Sequence, residues 1–250
     1  MLKNYPEIIF GFSEKKDGPM KLANKDGDQA AINRQVFFAK QGIEKKDVVS
    51  AALANGLEVK VVDENDKEKM IGQVDALVTN CQNLLLAVTV ADCAPIYFYN
   101  PVGGIVALSH AGWRGVLGNI IYRTISTANE LFLNNPKDWQ VFVGPHIKAC
   151  HFEVREDVAM MFAEYPEFII NQAGKIFIDL TGIIRKQLLQ IGIPAENIDF
   201  NDECTYCEDK KYFSWRRDKP QEVEAMVAYL GIFYPKSTLL KAQKCDKIQR

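Results

Sequence analysis

The sequence predicts a single mixed α/β (α+β) domain, built as a large mixed sheet with helices packed against it. Four strand-like segments crowd into residues 75–109, and an amphipathic helical stretch follows them directly. No Gly-, Ser- or Pro-rich linker divides the chain, and no internal repeat stands out. With 250 residues, 48% hydrophobic and 25% charged, the chain is long and apolar enough to bury one sizeable core, so residues 1–250 read as one domain.

Residues 7–12 read as a short strand ending at Gly11-Phe12-Ser13, followed by a lysine-rich turn at Lys15, Lys16, Asp17 and Gly18. Residues 29–41 place Ala30, Ile32, Val36, Phe37 and Ala39 at helical spacing. Segments 48–54 and 57–62 flank Asn55-Gly56, the dipeptide most typical of a tight hairpin turn. Residues 63–69 are charged and read as solvated. Strands are expected at 75–79, 84–90, 96–99 and 105–109, with Pro101-Val102-Gly103-Gly104 turning the chain between the last two. Residues 116–132 carry Val116, Ile120, Ile121, Ile125, Ala128, Leu131 and Phe132 on or near one helical face, and Asn134-Asn135-Pro136 ends that helix. A strand at 139–143 closes at Gly144-Pro145. Helices follow at 156–164 and 180–190, the second with Thr181 as a candidate cap, and further strands at 198–200 and 224–232. The polar tail, residues 236–250, reads as frayed.

Composition narrows the function. The net charge of −2 gives no electrostatic support for binding nucleic acid. The longest apolar stretch, residues 84–91, is interrupted by Thr89 and stopped by Asp92, far short of a membrane span. The N-terminal residues lack the apolar run of a secretory signal, so a cytoplasmic location is expected. Six cysteines then read as reduced thiols, one or more serving as ligands, rather than as a disulfide framework.

Chemistry concentrates in Ala91-Asp92-Cys93-Ala94-Pro95 and Ser109-His110-Ala111-Gly112-Trp113-Arg114-Gly115. Thiolate and neutral imidazole are both good zinc ligands. A strand, a turn and a strand separate Cys93 from His110. A simple return is expected to put their strand ends on opposite edges, so their meeting depends on local topology. The same pair also reads as a buried structural cysteine and a capping histidine. Trp113-Arg114-Gly115 before a helix suits an anion, and equally a surface arginine at a helix start. A second cluster is Gly144-Pro145-His146 with Cys150 and His151, where Cys150 and His151 are expected to begin a strand and pack. A third is Cys204-Thr205-Tyr206-Cys207, a lone C-x-x-C and weak as a metal signal. Downstream, Phe213, Trp215, Arg216 and Arg217 could stack on a ring and hold phosphate, or form a strand edge with an Arg–Asp pair.

The order of these segments resembles the YfiH/YlmD family, often labelled laccase-domain or multicopper polyphenol oxidase proteins. Asp75-Ala76-Leu77-Val78-Thr79-Asn80, Ala91-Asp92-Cys93-Ala94-Pro95, His110-Ala111-Gly112-Trp113-Arg114-Gly115, Gly144-Pro145-His146-Ile147, Phe152-Glu153-Val154, Cys204-Thr205 and Phe213-Ser214-Trp215-Arg216-Arg217-Asp218 carry the likeness through nearly the whole chain. The resemblance implies a fold shared with cytotoxic-necrotizing-factor-like proteins. It also implies zinc-dependent phosphorolysis of adenosine, inosine, guanosine and methylthioadenosine, with deamination of adenosine. Its partners would be a purine nucleoside and phosphate, with no nucleic acid and no membrane.

The resemblance implies one zinc per chain, held by His, Cys and His. Cys93 and His110 match two positions, and Asn55 stands where the other histidine is expected. An amide oxygen is the poorer zinc ligand. Lys15 stands where the family has arginine, keeping the charge but losing the bidentate fork. Within the resemblance, Cys93, His110 and Asp92 are the catalytic candidates, with Asp92 accepting a proton or capping a turn. Arg114 and Lys15 are the phosphate candidates, and Phe213 and Trp215 the base-stacking ones. Copper oxidation is discounted, because His110, His146 and His151 are the only histidines. The competing reading is a metal-poor homologue that binds a nucleoside or a partner; a phenol oxidase ranks below both.

Overall fold

The computed structural model describes residues 2–22, 29–132 and 135–233. The tail expected to fray, residues 236–250, lies outside the described residues. The chain runs β1 (Ile8–Phe12), α1 (Gln29–Lys40), β2 (Val48–Ala52), β3 (Val59–Val61), β4 (Met70–Gly72), β5 (Ala76–Thr79), β6 (Leu85–Val90), β7 (Ala94–Asn100), β8 (Ile105–Ala111), α2 (Trp113–Leu117) and α3 (Ile120–Phe132). It continues through β9 (Gln140–Val143), β10 (Glu153–Val154), α4 (Glu156–Met160), β11 (Ile169–Gln172), β12 (Lys175–Ile178), α5 (Leu180–Ile191), β13 (Ile198–Phe200), α6 (Trp215–Asp218) and β14 (Met226–Ile232).

The expected mixed α/β domain is present, but the one large sheet is two. The first has order β1-β14-β6-β2-β4 and the second β13-β9-β7-β8-β5-β3. Side chains on a strand alternate between faces, so a strand buried on both faces must be apolar at nearly every position. In β6, Leu86, Val88 and Val90 point to the second sheet, while Leu85 and Ala87 point to α1. In β8, Val106 and Leu108 face the first sheet, while Ile105 and Ala107 pack against Ile120, Ile121 and Ile125 of α3 and Ile184 of α5. The molecule is therefore layered helix, sheet, sheet, helix. The unbroken apolar runs of the central strands follow from that layering.

Several elements depart from expectation. The segments around Asn55-Gly56 do not form a hairpin: β2 pairs in parallel with β4 and β6, while β3 pairs in parallel with β5 in the other sheet. Asn55 does adopt a turn conformation with positive φ of 56°, but the turn carries the chain between sheets. The helix expected over 116–132 breaks into α2 and α3 at Gly118-Asn119, where Asn119 has φ of 60°. In α1 the buried side chains are Ala30, Arg34, Phe37 and Phe38, while Ile32 and Val36 are exposed. The helix expected at 156–164 is only the five residues of α4. Asp179, not Thr181, caps α5 by accepting from the Gly182 amide. A small antiparallel sheet, β10-β12-β11, was not expected. No described helix is long and apolar enough to cross a membrane.

Candidate active site

β7 and β8 form an antiparallel hairpin whose register pairs Ala94 with Ala111 and Pro95 with His110. In such a hairpin the start of the first strand and the end of the second share one edge. Cys93 and His110 therefore meet, contrary to the expectation of opposite edges. The His110 imidazole and the Cys93 thiol are near enough to interact electrostatically. A Cβ built on Gly112 would lie 3.1 Å from Cys93 Sγ and 3.5 Å from His110 Cε1. The thiol and the ring edge thus converge on a space that the glycine leaves open.

Asp75, just before β5, organises this pair. Its buried carboxylate lies 3.1 Å from His110 Nδ1 and accepts the backbone N–H groups of Asn55 (3.0 Å) and Gly56 (2.7 Å). Burial alone would raise the carboxyl pKa. The His110 ring and the two amides outweigh it and hold the group below its ordinary value. Burial likewise opposes the charged form of His110, but Cys93 and Asp75 push its pKa up to about 9. With Nδ1 committed to Asp75, Nε2 is the ring nitrogen left for a ligand, the usual arrangement behind a metal-bound histidine.

A cavity of about 670 Å³ opens over the pair, and Asn55, Cys93, His110, Arg114, Trp215 and Arg216 line it. Arg114, in the first turn of α2, stacks its guanidinium 4.1 Å from the Trp113 ring. Trp215 lines the cavity and is 52% exposed. Asp92 also borders the cavity, in a left-handed backbone conformation with φ of 81°. Its buried carboxylate accepts from Thr205 Oγ1 (2.6 Å), Ser214 Oγ (3.0 Å) and the Arg216 amide (2.7 Å).

Two expected residues fall outside the cavity lining. Phe213 is buried among Phe12, Tyr212 and Met226, where local packing leaves no face for a base. Lys15 reaches the Asp209 carbonyl and lies 5.5 Å from the Phe213 ring centroid. Arg216, by contrast, lines the cavity, and the resemblance had not assigned it a role. His146 is fully buried with both ring nitrogens engaged, by the Gly144 carbonyl (2.8 Å) and Thr181 Oγ1 (2.9 Å).

The second and third sequence clusters come together. Cys150 and His151 lie in a turn before β10 rather than in a strand. Their donor atoms and those of Cys204 and Cys207 all fall within 4.8 Å of one another, a set able to hold a metal ion. Cys93, Cys150, Cys204 and Cys207 are free thiols.

The chain belongs to the family described as multi-copper polyphenol oxidoreductase laccase, whose pattern matches residues 10–231. Its relatives include Adenosine deaminase RL5 from an unknown prokaryotic organism, 33% identical over 79% of this chain and 81% of that protein. Purine nucleoside phosphorylase YfiH of Escherichia coli strain K12 is 32% identical over 77% of each chain. Among solved structures, Bacillus licheniformis YfiH superposes with a TM-score of 0.84 at 25% identity, covering 93% of this chain and 95% of that one. YlmD from Geobacillus stearothermophilus also gives 0.84, at 27% identity, covering 92% and 93%.

Proposed function

We infer that the protein is a cytoplasmic, zinc-dependent purine nucleoside phosphorylase with adenosine deaminase activity. The observation that carries this reading is the convergence of Cys93 and His110 beside Gly112, under a cavity whose lining includes Arg114, Arg216 and the exposed Trp215. The names of the relatives support the same reaction class. The donors suit zinc at two positions, with Asn55 as a weak third. One thiol and one imidazole, the latter braced by Asp75, match zinc better than a copper centre needing several histidines. When bound there, zinc would act as a Lewis acid on an oxygen of water or phosphate.

The chain's own residues have separable tasks. Arg114 and Arg216 supply positive charge for phosphate at the cavity wall. Trp215 offers a face for the purine. Phosphorolysis forms a bond from a phosphate oxygen to C1′ of the ribose and breaks the bond from C1′ to the purine nitrogen. Deamination adds water at C6 and releases ammonia. Asp92 accepts three hydrogen bonds, so we read it as a positioning residue that fixes Thr205, Ser214 and the start of α6, rather than as the proton acceptor.

The test is turnover of adenosine and inosine, with and without phosphate, by protein purified without a histidine tag. Wild type should release free base only with phosphate, and Cys93→Ala should abolish that release. Full activity in Cys93→Ala would sink the reading. Asn55 favours the second reading, a homologue with a weakened metal site that binds without turning over. An inactive parent that gains activity as Asn55→His would establish it.

A further inference from the structure

We propose that Cys150, His151, Cys204 and Cys207 form a second metal site, a structural zinc centre separate from the Cys93–His110 pair.

The geometry is that of a nearly closed tetrahedral shell. Zinc bound at about 2.3 Å from sulfur and about 2.0 Å from nitrogen has sulfur–sulfur edges of about 3.8 Å and sulfur–nitrogen edges of about 3.5 Å. Cys150 Sγ and Cys207 Sγ are 3.8 Å apart. His151 Nδ1 lies 3.2 Å from Cys150 Sγ and 3.3 Å from Cys207 Sγ. Cys204 Sγ completes a set in which every pair of donors lies within 4.8 Å. An ion needs only small adjustments to enter. Four protein ligands with no open position define a structural zinc site rather than a catalytic one.

The surroundings prepare each donor. Cys204 Sγ accepts the Lys148 amide at 3.4 Å, an N–H contact of the kind that favours a thiolate. The His151 ring stacks on Tyr206 with centroids 4.0 Å apart and planes 14° from parallel, which fixes the direction of Nδ1. A disulfide between Cys150 and Cys207 would account for two of the four groups and leave the convergence of His151 and Cys204 unexplained.

The position of the centre gives it a task. It would join the turn carrying Cys150 and His151 to the segment starting at Cys204. That segment sends Thr205 Oγ1 to Asp92, the neighbour of Cys93, while the Ile147 amide donates to the Asp92 carbonyl at 2.9 Å. Arg217 ties the carbonyls of Thr205, Tyr206 and Tyr212 together beside Trp215. A metal here would staple two loops that support the cavity wall, without facing the substrate.

The experiment measures metal content in a variant that lacks the other pair. Cys93→Ala/His110→Ala, purified reduced, dialysed against zinc chloride and then against metal-free buffer, should retain one zinc per chain. Cobalt(II) in its place should give the intense sulfur-to-metal charge-transfer bands of a three-thiolate tetrahedral site. Adding Cys150→Ser and Cys207→Ser, both exposed positions, should remove that equivalent and the bands and lower the thermal midpoint. The proposal is overturned if the folded Cys93→Ala/His110→Ala protein binds neither metal, or if the serine substitutions leave the equivalent in place. Equally fatal would be isolation of Cys150 and Cys207 as a disulfide that, once reduced, takes up no metal. Because the readout is metal in a chain without the Cys93–His110 pair, it is independent of the nucleoside reading.

Discussion

Asp75 shows how one buried carboxylate sets the chemistry of its neighbour. It receives two backbone amides from the Asn55-Gly56 turn and turns its remaining capacity to His110 Nδ1. Asp75→Asn should remove the charge that favours imidazolium, so the His110 pKa in metal-free protein should fall from about 9 by at least about one unit. Ring-proton NMR titration measures this, and an unchanged value would assign the shift to Cys93 alone. His146 is the opposite case. Burial, aided by the Lys148 charge, lowers its pKa to about 3, and the neutral ring satisfies both nitrogens within the fold. Between pH 6.5 and 3 the unfolded chain binds a proton there that the folded chain refuses. Stability should therefore be complete above pH 6.5 and decline as pH falls, by a few kcal/mol near pH 4. Urea unfolding from pH 7.5 to 4.5 reads the slope, and His146→Gln should flatten it.

At the scale of elements, the segment from Cys204 to Asp218 has little regular structure and is held by side chains. Arg217 supplies five of the ties, donating to three backbone carbonyls and to Asp218. Lysine keeps the charge but not the planar fork, so Arg217→Lys should lower stability by about 1–3 kcal/mol. It should also weaken nucleoside binding through Trp215, seen as a higher KM with a smaller change in kcat. A change confined to stability would separate the segment from the site. Element-scale features were legible in part. The central strands and the helical register of α3 follow from local periodicity, which the sequence displays directly. The break at Gly118-Asn119 and the sheet β10-β12-β11 were not legible, because short elements carry too few periods to be distinguished from loop.

At the scale of the whole molecule, stability rests on two sheets pressed face to face with helices outside both. Leu86 points into the seam between the sheets and is fully buried. Leu86→Ala should cost about 2–5 kcal/mol, because rigid sheets on both sides cannot collapse into the cavity. Val102→Ala in the exposed turn between β7 and β8 should change stability by less than about 0.5 kcal/mol. Chemical denaturation of the two variants makes the comparison, and similar losses would contradict the layered account.

By itself, the sequence determined the α/β class, the order of the main strands and helices, and the candidacy of Cys93, His110, Arg114 and Trp215. Each of these is written in local periodicity or in a short contiguous motif. Tertiary structure alone decided that the single expected sheet is two, that Asn55-Gly56 bridges them, that Phe213 is core and Lys15 stands off the cavity, and that Asp75 braces His110. It also decided that Cys150 and Cys207, 57 positions apart, stand 3.8 Å from one another. Those outcomes depend on which faces the packed layers bury and on how distant loops are brought to one edge, and neither is encoded in any contiguous stretch of residues.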